Sequence, residues 1–275
     1  MKPAEFDYLR PDNVEEALAA LSEMGGEARL LAGGQSLMPM LNMRLIQPKL
    51  LIDIACLHAL DDVRDEGGVL AIGAAVTQGT LELRATLATE VPLLARALPW
   101  VGHYQTRNRG TVCGSIAHAD PSAELPLVLA ALGGEVVLRS ARTRRVLSAY
   151  DFFTGMLSTA RHADEMVEAA RFPIAKPGTG FAFREVALRH GDFALCAVAA
   201  VANPQNLRIA VGGVADRPVA RDYPRLAGDA LDDALNDLAW DLGAGSDAHA
   251  SAQYRRTLVR RVGRAVAEEA MACRN

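Results

Sequence analysis

The chain has 275 residues, half of them hydrophobic, which is enough for two domains with cores of their own. A formal net charge of −4, with the basic residues dispersed, argues against a nucleic-acid binder, and no run of about 18 apolar residues is present to cross a bilayer. The opening MKPAEFDYLRP lacks the apolar core of a secretory leader, so cytoplasmic residence is the expectation.

Taken in chain order, Phe6 to Arg10 predicts a strand, followed by a helix capped at Asp12 or Asn13. That helix carries Glu15 and Glu16 in its first turn, turns Val14, Ala17, Leu18 and Leu21 to one face, and stops at Gly25-Gly26. A strand over 28–32, a glycine turn, a helix with Ser36 as its cap and Leu37, Met40 and Leu41 on its apolar face, and a strand from Leu50 to Ile54 complete a β-α-β-α-β lobe with a small parallel sheet. From about residue 60 the pattern turns to strands with helical inserts. Val69 to Val76 is a strand, Thr80 to Leu98 is helical in two pieces broken near Pro92, and Gly134 to Arg139 and Met166 to Phe172 are strands again.

Lys176-Pro177-Gly178-Thr179-Gly180 is the best linker and sets the expected division. Residues 1–176 form one domain, with lobes 1–58 and 59–176, and residues 177–275 form a second. In the second, Ala194 to Ala202 and Leu207 to Val214 are β-rich, while Ala230 to Leu238 and Ala248 to Ala272 are helical. Arg255, Arg256, Arg260, Arg261 and Arg264 crowd the last helix, where a solvated charged face is the first reading and docking to a partner the second. Cys56, Cys113, Cys196 and Cys273 are widely separated, so no metal site or iron–sulfur cluster is expected within the chain.

Two segments carry the chemistry. In LLAGGQSLMPMLNMR, Leu30 to Arg44, an apolar strand runs into Gly33 and Gly34, a polar pair and a helix, an arrangement that brings bare backbone N–H groups against an anion such as a pyrophosphate. Alone, a Gly-Gly pair after a strand is more often just a turn. In VGHYQTRNRGTVCGSIAHADPSAELP, residues 101–126, Thr106, Gly110, Thr111, Gly114 and Ser115 leave convergent N–H and O–H donors uncovered, suited to a diphosphate or a ribityl chain. Alone it reads as a long surface loop with a helix cap at Ser122.

Together, AGGQSLMPMLNMRL and TRNRGTVCGSIAHADPSAELP resemble the paired FAD-binding motifs of the flavoprotein (medium) subunit of molybdenum hydroxylases, the carbon monoxide dehydrogenase and xanthine dehydrogenase family. FAFREVALRHGDFALCAVAAVA, Phe181 to Ala202, resembles that family's entry into its C-terminal domain. The resemblance implies an α+β, two-lobed FAD-binding fold followed by a three-stranded antiparallel sheet with a small helical bundle. It also implies a length suited to a stand-alone subunit.

On the matching positions, the resemblance implies that Ala32, Gly33, Gly34, Gln35 and Ser36 hold the pyrophosphate, and that Gly110, Thr111, Gly114 and Ser115 form the second motif. Glu124 takes an acidic position that contacts the cofactor's polar tail. Leu31, Leu37, Val101, Gly102, Ala117, His118 and Arg184 are implied as further cofactor contacts. Cys113 departs from the family's TxGG. If that position needs positive φ, the substitution costs about 1 kcal/mol; an ordinary small packing residue is the simpler reading. Gln35 stands where some relatives place a histidine, and His103 and His118 read as hydrogen-bonding neighbours or surface residues, so FAD is expected to be non-covalent. Arg184, Arg189 and Asp192 serve either a structural ion pair holding the C-terminal domain to the flavin lobe or the cofactor, and Trp100 and Tyr104 either the ring or the core and a lobe interface.

The function so implied is a flavin electron relay, with no catalytic or metal-ligating residue of its own. A small iron–sulfur subunit bearing [2Fe-2S] clusters and a large molybdenum-cofactor subunit are the implied partners, in a heterotrimer dimerised through the large subunit. The rivals are a self-sufficient flavin oxidoreductase of the same fold and a cofactor-free assembly module. A doubly wound dehydrogenase is disfavoured because no G-x-G-x-x-G follows a strand.

Overall fold

The computed structural model describes residues 2–273. The N-terminal lobe contains β1 (Asp7–Leu9), α1 (Val14–Met24), β2 (Ala28–Leu31), α2 (Leu37–Asn42) and β3 (Leu50–Asp53). Its sheet is parallel throughout, in the order β1-β3-β2. Asn13 caps α1 by accepting from the backbone N–H of Glu16 at 2.9 Å, and Val14, Ala17, Leu18 and Leu21 are buried as their spacing requires. Helix α2 differs from expectation. Ser36 has helical backbone angles and its side chain makes no capping bond; the hydrogen-bond pattern leads in from two residues earlier, with Met38 N–H donating to Gly34 O at 3.0 Å.

The second lobe is a five-stranded antiparallel sheet in the order β4-β5-β10-β6-β7, plus a short ribbon. It comprises β4 (Val63–Asp65), β5 (Val69–Gly73), β6 (Glu135–Arg139), β7 (Arg144–Ser148), the ribbon strands β8 (Phe153–Gly155) and β9 (Ser158–Thr159), and β10 (Met166–Pro173). Between β5 and β6 run α3 (Gln78–Glu82), α4 (Leu87–Glu90), α5 (Pro92–Ala97), α6 (Tyr104–Arg107), α7 (Val112–His118) and α8 (Glu124–Leu132), while α9 (Ala149–Phe152) follows β7. The region from Thr80 to Leu98 is therefore three short helices, not two. Pro92 opens α5 at a position where its missing N–H is harmless.

The C-terminal sheet has four antiparallel strands where three were expected: β11 (Gly180–Val186), β12 (Cys196–Ala202), β13 (Asn206–Gly212) and β14 (Val219–Pro224). Strand β14, VARDYP, is mostly exposed and polar at this edge, so it lacks the apolar run that marks its neighbours. Helix α10 (Asp229–Asp241) packs on α11 (Ala252–Ala272), which covers one face. Alternation along β11 explains how this sheet joins the rest. Phe181 and Phe183 enter the core shared by both N-terminal lobes, whereas Ala182 enters the core under α11. The packing is thus continuous across the segment 176–180.

Candidate functional site

The two glycine segments meet face to face. A Cβ built on Gly33 would lie 2.2 Å from Arg109 O and 2.6 Å from Gly110 Cα, so only a residue with no side chain permits this approach. Gly34 follows with φ +71°, the left-handed region that glycine enters without strain. Gln35 Nε2 donates to Gly33 O at 3.0 Å and steadies the turn. On the opposing side, Thr111 caps α7 by accepting from Gly114 N–H at 3.0 Å. Gln78 ties this segment to α3: its N–H donates to Gly110 O at 2.8 Å and its Nε2 to Thr111 O at 3.4 Å.

Between these segments opens a cavity of about 990 Å³, at the upper end of the roughly 300–1,000 Å³ typical of small-molecule sites. From the first motif it is lined by Ala32, Gly33, Gly34, Gln35, Ser36 and Leu37. The second contributes Gly110, Thr111, Gly114, Ser115, Ala117 and His118, and Val101, Gly102 and Glu124 complete the expected set.

Two expected residues lie elsewhere. Leu31 is the last residue of β2 and does not line the cavity; its side chain abuts the position a Gly34 Cβ would take. Arg184 lies off the cavity as well, where its Nη2 donates to Glu269 of α11 at 2.9 Å. The reason is the strand's alternation, which sends Arg184 to the side opposite Phe183. For Arg184 the structural ion pair is the reading that fits; it is made within the C-terminal domain, and Glu269 reaches the flavin lobe through Arg96 of α5 at 3.1 Å.

Cys113 lies inside α7 without positive φ, so no backbone strain attaches to it. It is 2% exposed, its Sγ donates to Ile72 O at 3.3 Å, and burial pushes its thiol up to about 12. Both features mark an inert packing residue. Ser122 is not a helix cap; Ala123 precedes α8 in that place, and Asp120 closes the turn by accepting from Ser122 N–H at 2.8 Å. Trp100 packs against Phe183 and His190, with ring centroids 6.4 and 5.3 Å away, at the join between lobe and C-terminal sheet. Tyr104 is exposed, while His103 and Asp192 line the cavity.

Several lining residues escaped the sequence. Arg29 Nη1 is held by Gly26 O and Ala28 O, both at 2.8 Å, and Arg161 Nη1 by Glu165 O at 2.7 Å and His162 O at 2.9 Å. Burial, then the charge of Arg29, lowers the pKa of Arg161. Carbonyl partners leave these cations electrostatically available to an anion in the cavity. Arg255 is the least expected, since its helix reads as a solvated charged stripe. It is 8% exposed, lines the cavity and donates from Nη2 to Asp247 at 2.7 Å. The other arginines of that stripe stay on the surface side: Arg256 lies over the Trp240 ring, Arg260 bonds Asn236, and Arg264 pairs with Asp232 and Glu268.

Among the described residues, no group of three or more His, Cys, Asp or Glu side chains is placed to hold a metal, and no helix is long and apolar enough to cross a membrane. Beside the carboxyl groups of Asp120, Glu124, Asp192 and Asp247, the cavity presents backbone N–H groups, small hydroxyls and arginines, donors suited to a long, anionic, polyhydroxylated group.

The family "FAD binding domain in molybdopterin dehydrogenase" matches residues 4–175. Caffeine dehydrogenase subunit beta of Pseudomonas sp. (strain CBB1) is 39% identical over 225 residues, 80% of this chain and 76% of that protein. Nicotine 6-hydroxylase medium subunit of Paenarthrobacter nicotinovorans is 37% identical over 284 residues, 98% of this chain and 99% of that protein. Among solved structures, a chain of carbon monoxide dehydrogenase from Hydrogenophaga pseudoflava superposes with a TM-score of 0.93 at 30% identity, covering 99% of both chains. The two glycine motifs, their shared cavity and these likenesses place the chain in the FAD-binding medium-subunit family of molybdenum hydroxylases, the carbon monoxide dehydrogenase and xanthine dehydrogenase type.

Proposed function

We propose that this chain holds one FAD non-covalently in the cavity between its two glycine motifs. In this reading it relays electrons from the [2Fe-2S] clusters of a small partner subunit to an external acceptor. Substrate hydroxylation takes place on a large partner subunit that carries the molybdenum cofactor. The observation that carries the reading is the direct apposition of Gly33 on the Arg109–Gly110 backbone at one wall of a cavity of about 990 Å³. Relatives described as a "medium subunit" and as "subunit beta" support an assembly of several chains.

The residues divide the work. The backbone from Gly33 to Ser36, the hydroxyls of Ser36 and Ser115, and the turn at Gly110 bind the diphosphate and its attached chain, while Arg29 and Arg161 supply positive charge to the same cavity. Thr111 uses its side chain to hold Gly114 N–H and so fixes the shape of the second motif. Bound FAD supplies both one-electron and two-electron exchange, and the protein's part is to orient it and set its surroundings. Gln35 in the first motif offers no imidazole for covalent attachment.

The test compares the isolated FAD-loaded chain with the co-purified complex under anaerobic conditions. Each is mixed with N-heteroaromatic compounds, aldehydes or carbon monoxide, and flavin absorbance is followed. Bleaching only in the complex is the expected result. Rapid bleaching of the isolated chain by an organic substrate overturns the relay in favour of a self-sufficient oxidoreductase, and a colourless chain that takes up no FAD favours a cofactor-free assembly module.

A further inference from the structure

Behind the cavity wall lies a carboxyl that the proposed function does not use. Glu185 sits on β11 on the same face as Phe181 and Phe183, is 7% exposed, and neither of its carboxylate oxygens has a hydrogen-bond partner among the described residues. Glu124, the first residue of α8, is also 7% exposed and lines the cavity. Helix α8 packs on β12 and β13, and β11, which carries Glu185, pairs with β12, so both carboxyls lie at the join between this helix and the sheet, within electrostatic reach of one another. A buried carboxylate with no donor is held protonated by the cost of stripping its water, and a second carboxylate nearby adds to that cost.

The charged surroundings do not relieve it. Glu124 feels Asp120 from the preceding turn and Arg107 of α6, but Arg107 is engaged by Glu82 at 2.7 Å. Glu185 feels Glu124, and the adjoining Cys196 of β12 is buried with its thiol pushed up to about 12. Arg255 of α11, which acts on Cys196, is taken by Asp247 and by Gly245 O. His103 and His118 also line the cavity. Burial comes first in raising both acids, Glu124 to about 7 and Glu185 to about 8, with the charge of Glu124 second for Glu185.

We infer that Glu124 and Glu185 form a buried carboxyl pair that retains a proton at neutral pH, so that the pair adds at most one negative charge to the cavity in which the anionic cofactor binds. Glu124 lines the cavity proposed for the cofactor, and Glu185, set back from it, is a positioning residue acting through Glu124. Binding of the diphosphate opposes ionisation of the pair, and a proton moves from solvent to a carboxylate oxygen as FAD enters at mildly alkaline pH. This inference rests on the FAD reading above.

The test is FAD titration of the apo chain by calorimetry across pH, in buffers of differing ionisation enthalpy, for the parent, Glu124→Gln, Glu185→Gln and the double variant. Affinity of the parent is expected to weaken by up to about tenfold per pH unit above neutrality, with proton uptake on binding. Each single variant should take up fewer protons, and the double variant should show neither uptake nor weakening. A double variant with the parent's pH profile would assign the effect to other groups of the cavity and overturn the inference, as would an unchanged Glu185→Gln. Infrared spectroscopy of the parent apo chain needs no variant: a protonated-carboxyl C=O band at neutral pH that vanishes at alkaline pH supports the pair, and its absence at neutral pH refutes it. A chain that binds FAD equally at all pH values without proton uptake removes the pair alone, whereas one that binds none at any pH removes the cofactor reading with it.

Discussion

Replacing Gly33 by alanine separates close backbone packing from backbone freedom as the reason for glycine in the first motif. The added methyl would stand 2.2 Å from Arg109 O and 2.6 Å from Gly110 Cα, more than about 1 Å inside ordinary contact, and both neighbours are backbone. Neither can rotate away, so the N-terminal lobe must shift off the second motif. Overpacking of this kind costs about 1–3 kcal/mol, which lowers the melting temperature of a chain this size by roughly 3–10 °C. The same shift distorts the cavity wall shared by the motifs, so FAD should be lost on gel filtration. Gly34→Ala is the control. Its Cβ would meet only the side chains of Leu31 and Met38, at 3.3 and 3.4 Å, and its cost is the roughly 1–2 kcal/mol of a left-handed backbone. Thermal unfolding and the flavin-to-protein ratio of the two variants decide the matter. A Gly33→Ala protein with the parent's melting temperature and full FAD would refute the reasoning.

Arg184→Ala should retain FAD and change stability by less than about 1 kcal/mol, because its partner Glu269 is a half-exposed ion pair away from the cavity; release of FAD in that variant would restore Arg184 to the site. Alkylation of the native chain should modify exposed Cys56 and spare Cys113 and Cys196, whose thiols burial pushes up to about 12, as read by peptide mass spectrometry. Cys113→Gly should lower stability by about 1–2 kcal/mol through lost burial and helix propensity while keeping FAD, measured by denaturant unfolding. Glu124 and Glu185 are raised to about 7 and about 8 from an ordinary 4.5, so the folded chain binds more protons than the unfolded one across that window. The pair's contribution to stability therefore falls as pH rises from 4.5 to about 8, and the apo melting temperature should decline over that range less steeply in Glu185→Gln.

Much of the site was legible because its signals are local. Gly33, Gly34, Gly110 and Gly114 punctuate apolar runs, and the strands and helices beside them follow plain period-two and helical spacing. What could not be read depends on long-range placement. Arg255 sits in an arginine stripe of ordinary appearance, and only the fold shows that α11 turns this one toward Asp247 and the cavity. Glu185 looks like the polar member of an alternating strand, yet its face is the buried one because β11 packs on the N-terminal core. Ser36 has the composition of a cap but not the backbone angles, since Gly34 O already accepts the first helical bond. Strand β14 was missed because an exposed edge needs no apolar pattern.

The most direct test of the central claim is the flavin content of the purified chain, read by absorbance and by chromatography of the acid-released cofactor. One FAD per chain, fully released by acid, is the predicted result. A chain that carries no flavin and takes up none when FAD is added, or one whose flavin stays on the denatured polypeptide, would contradict it.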